Sequence, residues 1–171
     1  EFKKKHSLTK TLFIIISKSG NTIETLSNTF ALNIMKKNSK NIIIISEKKN
    51  NLLFNLSKKL NLFYIEHKNY IGGRYSVLSE VGMVPAYLMG LNLYKFRSQI
   101  KDYFNGANKT FLKNSSIKLT ILLTKKIDNI IFLNYSPRLE KFLFWSQQLI
   151  AESLGKKKIR AFFQLYLMSQ K

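Results

Sequence analysis

The chain is 171 residues long and 45% hydrophobic, with 29 Lys and Arg against 9 Asp and Glu, a formal net charge of +20. That much apolar material excludes a disordered polycation, and a folded chain of this size buries roughly 70% of the surface its unfolded form exposes, so about one domain with a real core is expected. The absence of cysteine excludes disulfides, thiolate nucleophiles, Fe–S clusters and every zinc pattern that begins with Cys.

Taken in chain order, the first predicted element is a strand over residues 11–17, a continuous apolar run. A helix follows over 22–37, where Ile23, Leu26, Phe30, Ile34 and Met35 fall near helical spacing. Residues 41–46 form the second strand. Strand, helix and strand within about 35 residues is the size of a right-handed parallel crossover. A second helix over 51–60 carries Leu52, Leu53, Leu56 and Leu60 on its inner stripe, and residues 62–65 form a third strand. Strands that read as apolar runs, not alternations, are those covered on both faces. The expected fold is therefore α/β, a three-layer open and mostly parallel sheet with helices on both faces.

The middle is punctuated by Gly72, Gly73, Gly82 and Pro85, with Met83, Tyr87, Leu88 and Leu91 after a helix start. A helix is expected over 93–112, a break at 114–116, a fourth strand over 117–124 and a fifth over 130–134. After Ser136-Pro137, residues 138–154 read as a helix with Leu139, Phe142, Leu143, Leu149 and Ile150 on its buried side and Gly155 as its stop. Phe144 and Trp145 widen its apolar surface and suggest contact with additional protein. No clear element is expected at the end of the chain. The longest apolar runs, at 12–16 and 42–45, are far below the roughly 18 residues that span a membrane. The basic start, 2–6, lacks the apolar region of a signal peptide.

The charge is spread evenly: residues 1–85 hold fourteen basic and five acidic groups, and residues 86–171 hold fifteen and four. Only Arg74, Arg97, Arg138 and Arg160 offer the rigid fork suited to base edges, and the other 25 basic residues are lysines. With 16 Asn and 19 Ile beside them, an A- and T-rich gene is a sufficient cause of the charge. A basic nucleic-acid-associated protein remains one reading, and a lysine-lined continuous groove would mark it.

Three segments carry candidate chemistry. In Ser17-Lys-Ser-Gly-Asn-Thr-Ile-Glu-Thr25 an apolar strand runs into Ser17, Ser19, Thr22 and Thr25 around a helix N-terminus, where unpaired amides and the helix dipole favour an anion. Neither the nucleotide P-loop spacing nor the dinucleotide glycine triplet is present, so the site suits a compact phosphate on a small ligand. Lys18 can add a point charge or face water. The alternative is local capping by Asn21 or Thr22, without a ligand. In Tyr70-Ile-Gly-Gly-Arg-Tyr-Ser-Val-Leu-Ser79 the paired glycines permit close backbone approach, and Arg74 can stabilise oxygen charge. The alternative is a tight turn before a surface arginine, with Ser76 or Ser79 capping the next helix. In Gln147-Gln-Leu-Ile-Ala-Glu-Ser-Leu-Gly155 partial burial of Glu152 would push its carboxyl towards the range of a general base, with Gln148 one turn back on the same side. A solvent-facing glutamate is the alternative.

Together the segments resemble phosphoglucose isomerase (glucose-6-phosphate isomerase), of the sugar-isomerase (SIS) domain family, over residues 8–160. The similarity is strongest at 17–25, 72–79 and 151–156. The resemblance implies a SIS-like domain over 1–155 with a partial extension over 156–171. It implies that Ser17, Ser19, Thr22 and Thr25, with Lys18 in the same loop, bind the sugar phosphate. It makes Arg74 the cation that stabilises the enediol intermediate, Glu152 the base that moves a proton between C1 and C2, and Gln148 and Gly73 part of the substrate pocket. The implied reaction interconverts glucose 6-phosphate and fructose 6-phosphate in the cytoplasm, without metal, nucleotide or other cofactor. The implied state is a homodimer, with no membrane and no specific nucleic acid as partner.

The departures imply a partial or truncated member. The family's earlier glycine- and serine-rich segment has no match, nor has the segment after Glu152 that brings a ring-opening histidine, nor a later lysine. His6 and His67 do not match that histidine, and His67 is expected to be a local loop or surface group. A non-catalytic sugar-phosphate-binding regulatory module is the second alternative. It would keep the hydroxyl loop without requiring Glu152 to face it.

Overall fold

The computed structural model of the protein describes residues 2–124, 129–154 and 162–167. The chain falls into two compact units, Glu1–Leu93 and Tyr94–Lys171.

The first unit contains α1 (Phe2–Lys5), β1 (Phe13–Ile16), α2 (Ile23–Leu32), β2 (Ile42–Glu47), α3 (Leu52–Lys59), β3 (Phe63–His67), a 3-10 turn over Gly73–Leu78 and α4 (Glu80–Leu88). The three strands form one parallel sheet in the order β1, β2, β3. Phe13 lies opposite Ile42 and Ile16 opposite Ile45, while Ile43 lies opposite Phe63 and Glu47 opposite His67. Because side chains alternate along a strand, Phe13, Ile15, Ile42, Ile44 and Tyr64 share one face. Leu26 of α2, Leu53 of α3 and Leu60 just after it pack there. The central strand is covered on its other face too: Ile45 is as inaccessible as Ile42 and Ile44, which is why four isoleucines follow one another without alternation. His67 emerges on that second face, where α4 packs against β3. Helices on both faces of a parallel sheet make the α/β architecture the sequence predicts.

The expected helix over 22–37 stops five residues early. Asn33 takes the left-handed conformation (φ 53°) and closes α2 with its backbone N–H on the Phe30 carbonyl. Asparagine tolerates that conformation better than most residues, so a polar residue inside an apolar pattern ends the helix. Ile34 still reaches the core from the loop. The turn between β1 and α2 is fixed by contact with α3. Gly20 has φ +70°, and a Cβ there would stand 1.9 Å from the Asn51 side-chain oxygen. Its carbonyl accepts from Leu53 N (3.1 Å), and the neighbouring Asn21 side chain accepts from Leu52 N (2.9 Å).

The second unit is built from α5 (Leu93–Ser98), a 3-10 segment (Gln99–Phe104), α6 (Gly106–Thr124), β4 (Asn129–Asn134), a 3-10 turn (Pro137–Leu139), α7 (Glu140–Leu154) and β5 (Phe162–Leu167). β4 and β5 pair in parallel, Asn129 opposite Phe162 and Asn134 opposite Leu167. Two expectations fail here. The stretch 93–112 is not one helix but two helices separated by a 3-10 segment, and 117–124 is not a strand but the last part of α6. Alternating Ile117, Leu119 and Ile121 mimic a strand. The hydroxyls nearby are accommodated in the helix by donating one turn back, Ser116 to the Leu112 carbonyl (2.9 Å) and Thr120 to the Ser116 carbonyl (2.8 Å), so they do not take amides from its ladder. β5 is a terminal element where none was expected. Gly155, the expected stop of α7, lies outside the described residues. No helix among the described residues is long and apolar enough to cross a membrane.

Replacing Gly20 by alanine forces both a strained backbone and an overlap with Asn51. The expected loss is about 2–4 kcal/mol of unfolding free energy, read as a lowered urea midpoint at unchanged slope; a loss below about 1 kcal/mol would mean the turn is free to move.

Candidate functional site

Parallel pairing brings the carboxyl ends of β1, β2 and β3 to one edge of the sheet, the edge where open α/β sheets receive ligands. Ser17 to Thr22 leave β1 there, Glu47 ends β2, and His67 leads from β3 into the segment carrying Arg74. Ser17 N continues the ladder onto the Ile45 carbonyl at 3.1 Å.

Three hydroxyls converge at the start of α2. Ser17 Oγ lies 2.7 Å from Thr22 Oγ1, and Ser19 Oγ is 3.5 Å from each of them. Thr22 occupies the N-cap position, yet its side chain makes no capping bond. The expected alternative, in which Thr22 or Asn21 merely caps this helix, is not what forms: the Thr22 hydroxyl turns to Ser17, and Asn21 caps α3 instead. Ser19 Oγ accepts from Asn21 N at 3.2 Å and Ser17 Oγ from Gly20 N at 3.1 Å. Ser17 is buried, Ser19 and Thr22 are exposed, and Thr25 is half-buried one turn into α2. By contrast the start of α3 is closed, because Leu52, Leu53 and Phe54 donate to Asn21, Gly20 and Asn51 respectively.

Lys18 shares the loop but points elsewhere. Its ammonium donates to the carbonyls of Ile71 (2.7 Å) and Asn69 (3.2 Å) and lies 3.5 Å from Glu47 Oε1. Glu47 is only 7% exposed, and Lys49 holds its second oxygen. The hydrogen bond from Lys49 leads, with Lys18 adding to it, and together they outweigh burial and hold the Glu47 carboxyl below its ordinary 4.5.

Arg74 sits half-buried at the start of the 3-10 turn, 5.8 Å from the centre of the Tyr75 ring. The glycines before it do different things. A Cβ on Gly72 would touch the Tyr75 ring at 3.0 Å, whereas one on Gly73 would meet nothing within 4 Å. The backbone at Gly73 therefore faces open space. Ser79 caps α4 by accepting from Val81 N, while Ser76 donates to the Gly73 carbonyl at 2.6 Å and fastens the turn to itself.

Glu152 lies on α7 in the second unit, and Gln148 Nε2 donates to its Oε1 at 2.9 Å, the one-turn pairing the spacing predicts. Glu152 is exposed, so the expected partial burial is not supplied by the described residues around it; α7 carries it two positions before its end. His67 corrects the sequence reading in the other direction. It is 1% exposed, with Nδ1 on the Glu80 carboxylate and Nε2 3.2 Å from the Ile71 carbonyl. Sequence missed this pair because His67 and Glu80 are thirteen residues apart and only the packing of α4 on β3 joins them.

The chain resembles known proteins. A family model described as phosphoglucose isomerase matches residues 1–165. The chain is 35% identical over 158 residues to a protein named probable glucose-6-phosphate isomerase from Methanococcus maripaludis, covering 87% of this chain and 36% of that protein. It is 36% identical over 169 residues to a glucose-6-phosphate isomerase from Borreliella afzelii, covering 88% and 31%. It is 32% identical over 162 residues to one from Methanocaldococcus jannaschii, covering 91% and 40%. The chain thus spans about a third of the length of these relatives. A solved structure of a hypothetical protein from Thermus thermophilus superposes with a TM-score of 0.75 at 24% identity, over 95% of this chain and 43% of that one, a likeness of fold.

The depressed Glu47 carboxyl has a consequence for acid stability. Between its folded value and 4.5 the unfolded chain binds the proton more tightly, so the stability this group contributes is present above about pH 4.5 and lost as pH falls through the folded value. Urea unfolding from pH 6 to 3 is expected to show this acid limb, and Glu47→Gln to flatten it; an unchanged limb in the variant would assign the loss to other groups.

Proposed function

The chain belongs to the phosphoglucose isomerase family, and from that premise we propose that it takes part in the reversible, cytoplasmic interconversion of glucose 6-phosphate and fructose 6-phosphate. Ser17, Ser19, Thr22 and Thr25 receive the sugar phosphate. The observation that carries this reading is the hydroxyl cluster at the start of α2, whose N-cap threonine makes no capping bond to its own helix. Hydroxyls directed at a helix N-terminus bind a phosphate through donors and dipole together.

The reaction moves one proton between adjacent carbons. Glu152 takes the proton from C2 of the open-chain aldose and returns it to C1, and a hydroxyl proton passes between O1 and O2. The oxygen charge that develops in between needs a fixed cation, and Arg74 supplies it, favouring the transition state over the ground state. Gln148, already hydrogen-bonded to Glu152, orients the carboxylate. The open backbone at Gly73 leaves room for the sugar beside Arg74. Phosphate held by the hydroxyl loop fixes the sugar without entering the proton transfer. His67 is turned to Glu80 and Ile71 and does not take the ring-opening role.

Calorimetric titration of the full 171-residue chain with fructose 6-phosphate tests the binding step. Saturable binding is expected, competed by inorganic phosphate and weakened about tenfold or more by Thr22→Ala, each tenfold being ~1.4 kcal/mol; no binding by the wild-type chain would overturn the proposal. Where turnover is measurable, Glu152→Gln is expected to lower kcat by roughly 10²-fold or more while leaving the affinity for phosphate unchanged.

A further inference from the structure

The Ile71 carbonyl, immediately before Gly72-Gly73-Arg74, is gripped from two sides. Lys18 Nζ donates to it at 2.7 Å from the β1–α2 turn, and His67 Nε2 lies 3.2 Å away at the end of β3. A carbonyl oxygen only accepts, so this second contact is a hydrogen bond in the form of His67 that carries a proton on Nε2. Each donor is itself anchored. Lys18 also holds the Asn69 carbonyl and pairs with Glu47, whose backbone N–H returns to the Lys18 carbonyl at 3.1 Å. His67 is fully buried and braced through Nδ1 on Glu80, in the first turn of α4.

Such anchoring answers a specific problem. Two successive glycines are the most permissive backbone a chain can have, and the bonds from Tyr75 N to the Gly72 carbonyl (2.9 Å) and from Ser76 Oγ to the Gly73 carbonyl (2.6 Å) tie the turn to itself, not to the sheet. Two contacts on one carbonyl just upstream provide a fixed point, the shorter of them from the Lys18 ammonium. The ammonium has three hydrogens and three acceptors within the protein, two carbonyls and a carboxylate.

We propose that Lys18 and His67 are positioning residues that set the Arg74 segment against the hydroxyl loop by jointly holding the Ile71 carbonyl, and that Lys18 does not bind the substrate phosphate. The proposal rests on the functional reading above for what Arg74 does, though not for the grip itself. Lys18 then ties the turn that receives phosphate to the segment that carries the cation, so both keep one spacing. Displacing a catalytic group by about 1 Å can lower a rate by about 10²-fold, which is why the grip matters to the reaction more than to phosphate affinity.

Two experiments test it, both on the full chain. In the wild type, acetylation by limiting acetic anhydride, followed by peptide mass spectrometry, is expected to modify Lys18 about tenfold more slowly than exposed Lys36 or Lys40, because its nitrogen is seated on three acceptors. Saturating inorganic phosphate should leave that rate unchanged. A rate equal to that of Lys36, or a Lys18 that phosphate specifically protects, would overturn the proposal. In Lys18→Met, amide hydrogen exchange at 73–76 is expected to rise about tenfold while β1 and β2 stay protected, with inorganic phosphate affinity changed less than about threefold. Lys18→Arg, which keeps the donors, should restore protection. Lost phosphate affinity with unchanged exchange would make Lys18 a phosphate ligand and the proposal wrong. Thr22→Ala separates the two readings: if it leaves phosphate affinity intact the proposed phosphate site fails, while the exchange result for Lys18→Met still stands or falls alone.

Discussion

Parallel pairing is the constraint on which the rest of the first unit depends. Strands that run the same way end at the same edge, so the register that sets Ile16 opposite Ile45 and Glu47 opposite His67 also makes Ser17, Glu47 and the segment after His67 neighbours. No local sequence signal brings residue 18 to residue 71; the sheet does. Once the edge exists, short polar contacts stitch it together. Gly20 lies against Asn51, Asn51 donates to the Glu47 carbonyl at 2.8 Å, and Lys18 crosses to the β3 exit. The apolar runs that make the strands are thus also what places the polar residues.

The same edge shows how a chain with 29 basic and 9 acidic residues uses its scarce carboxylates. Glu47 is almost wholly buried between two lysines, and Glu80 braces a buried histidine. A buried carboxylate left unpaired would be costly, and here pairing keeps Glu47 charged. Glu66 with Lys68, by comparison, forms an exposed pair at 3.3 Å, the kind that contributes little. Position, not number, decides what these acids do.

How much of this was legible in sequence differs by element. β1, β2, α3 and β3 were legible because uninterrupted apolar runs and a clean leucine stripe admit one period each. The hydroxyl loop was legible because strand, glycine and hydroxyls follow in direct succession. Residues 117–124 were not, since Ile117, Leu119 and Ile121 alternate by accident inside a helix whose serines and threonines donate one turn back. The end of α2 was missed because Ile34 and Met35 keep the helical spacing after Asn33 has already turned the backbone left-handed. Long-range pairs were beyond reach for a different reason. His67 with Glu80 and Lys18 with Ile71 depend on strand order, which a sequence read locally does not contain.

Lys18 also bears on why hydroxyls, and not lysines, form the proposed phosphate site of so basic a chain. Lysine is a point charge on a flexible stem and attracts any anion; with lysines spread along the whole chain, one more would add little discrimination. Three hydroxyls within 3.5 Å of one another at a helix start impose directions as well as sign, and directions are what separate a phosphate monoester from the rest of an anionic solution. On the proposed reading, engaging the loop's lysine with backbone carbonyls and Glu47 removes a non-selective charge from the phosphate site and makes the lysine a strut. On that view the chain's large positive charge and its selectivity belong to different residues, and the ligand meets mainly the second set.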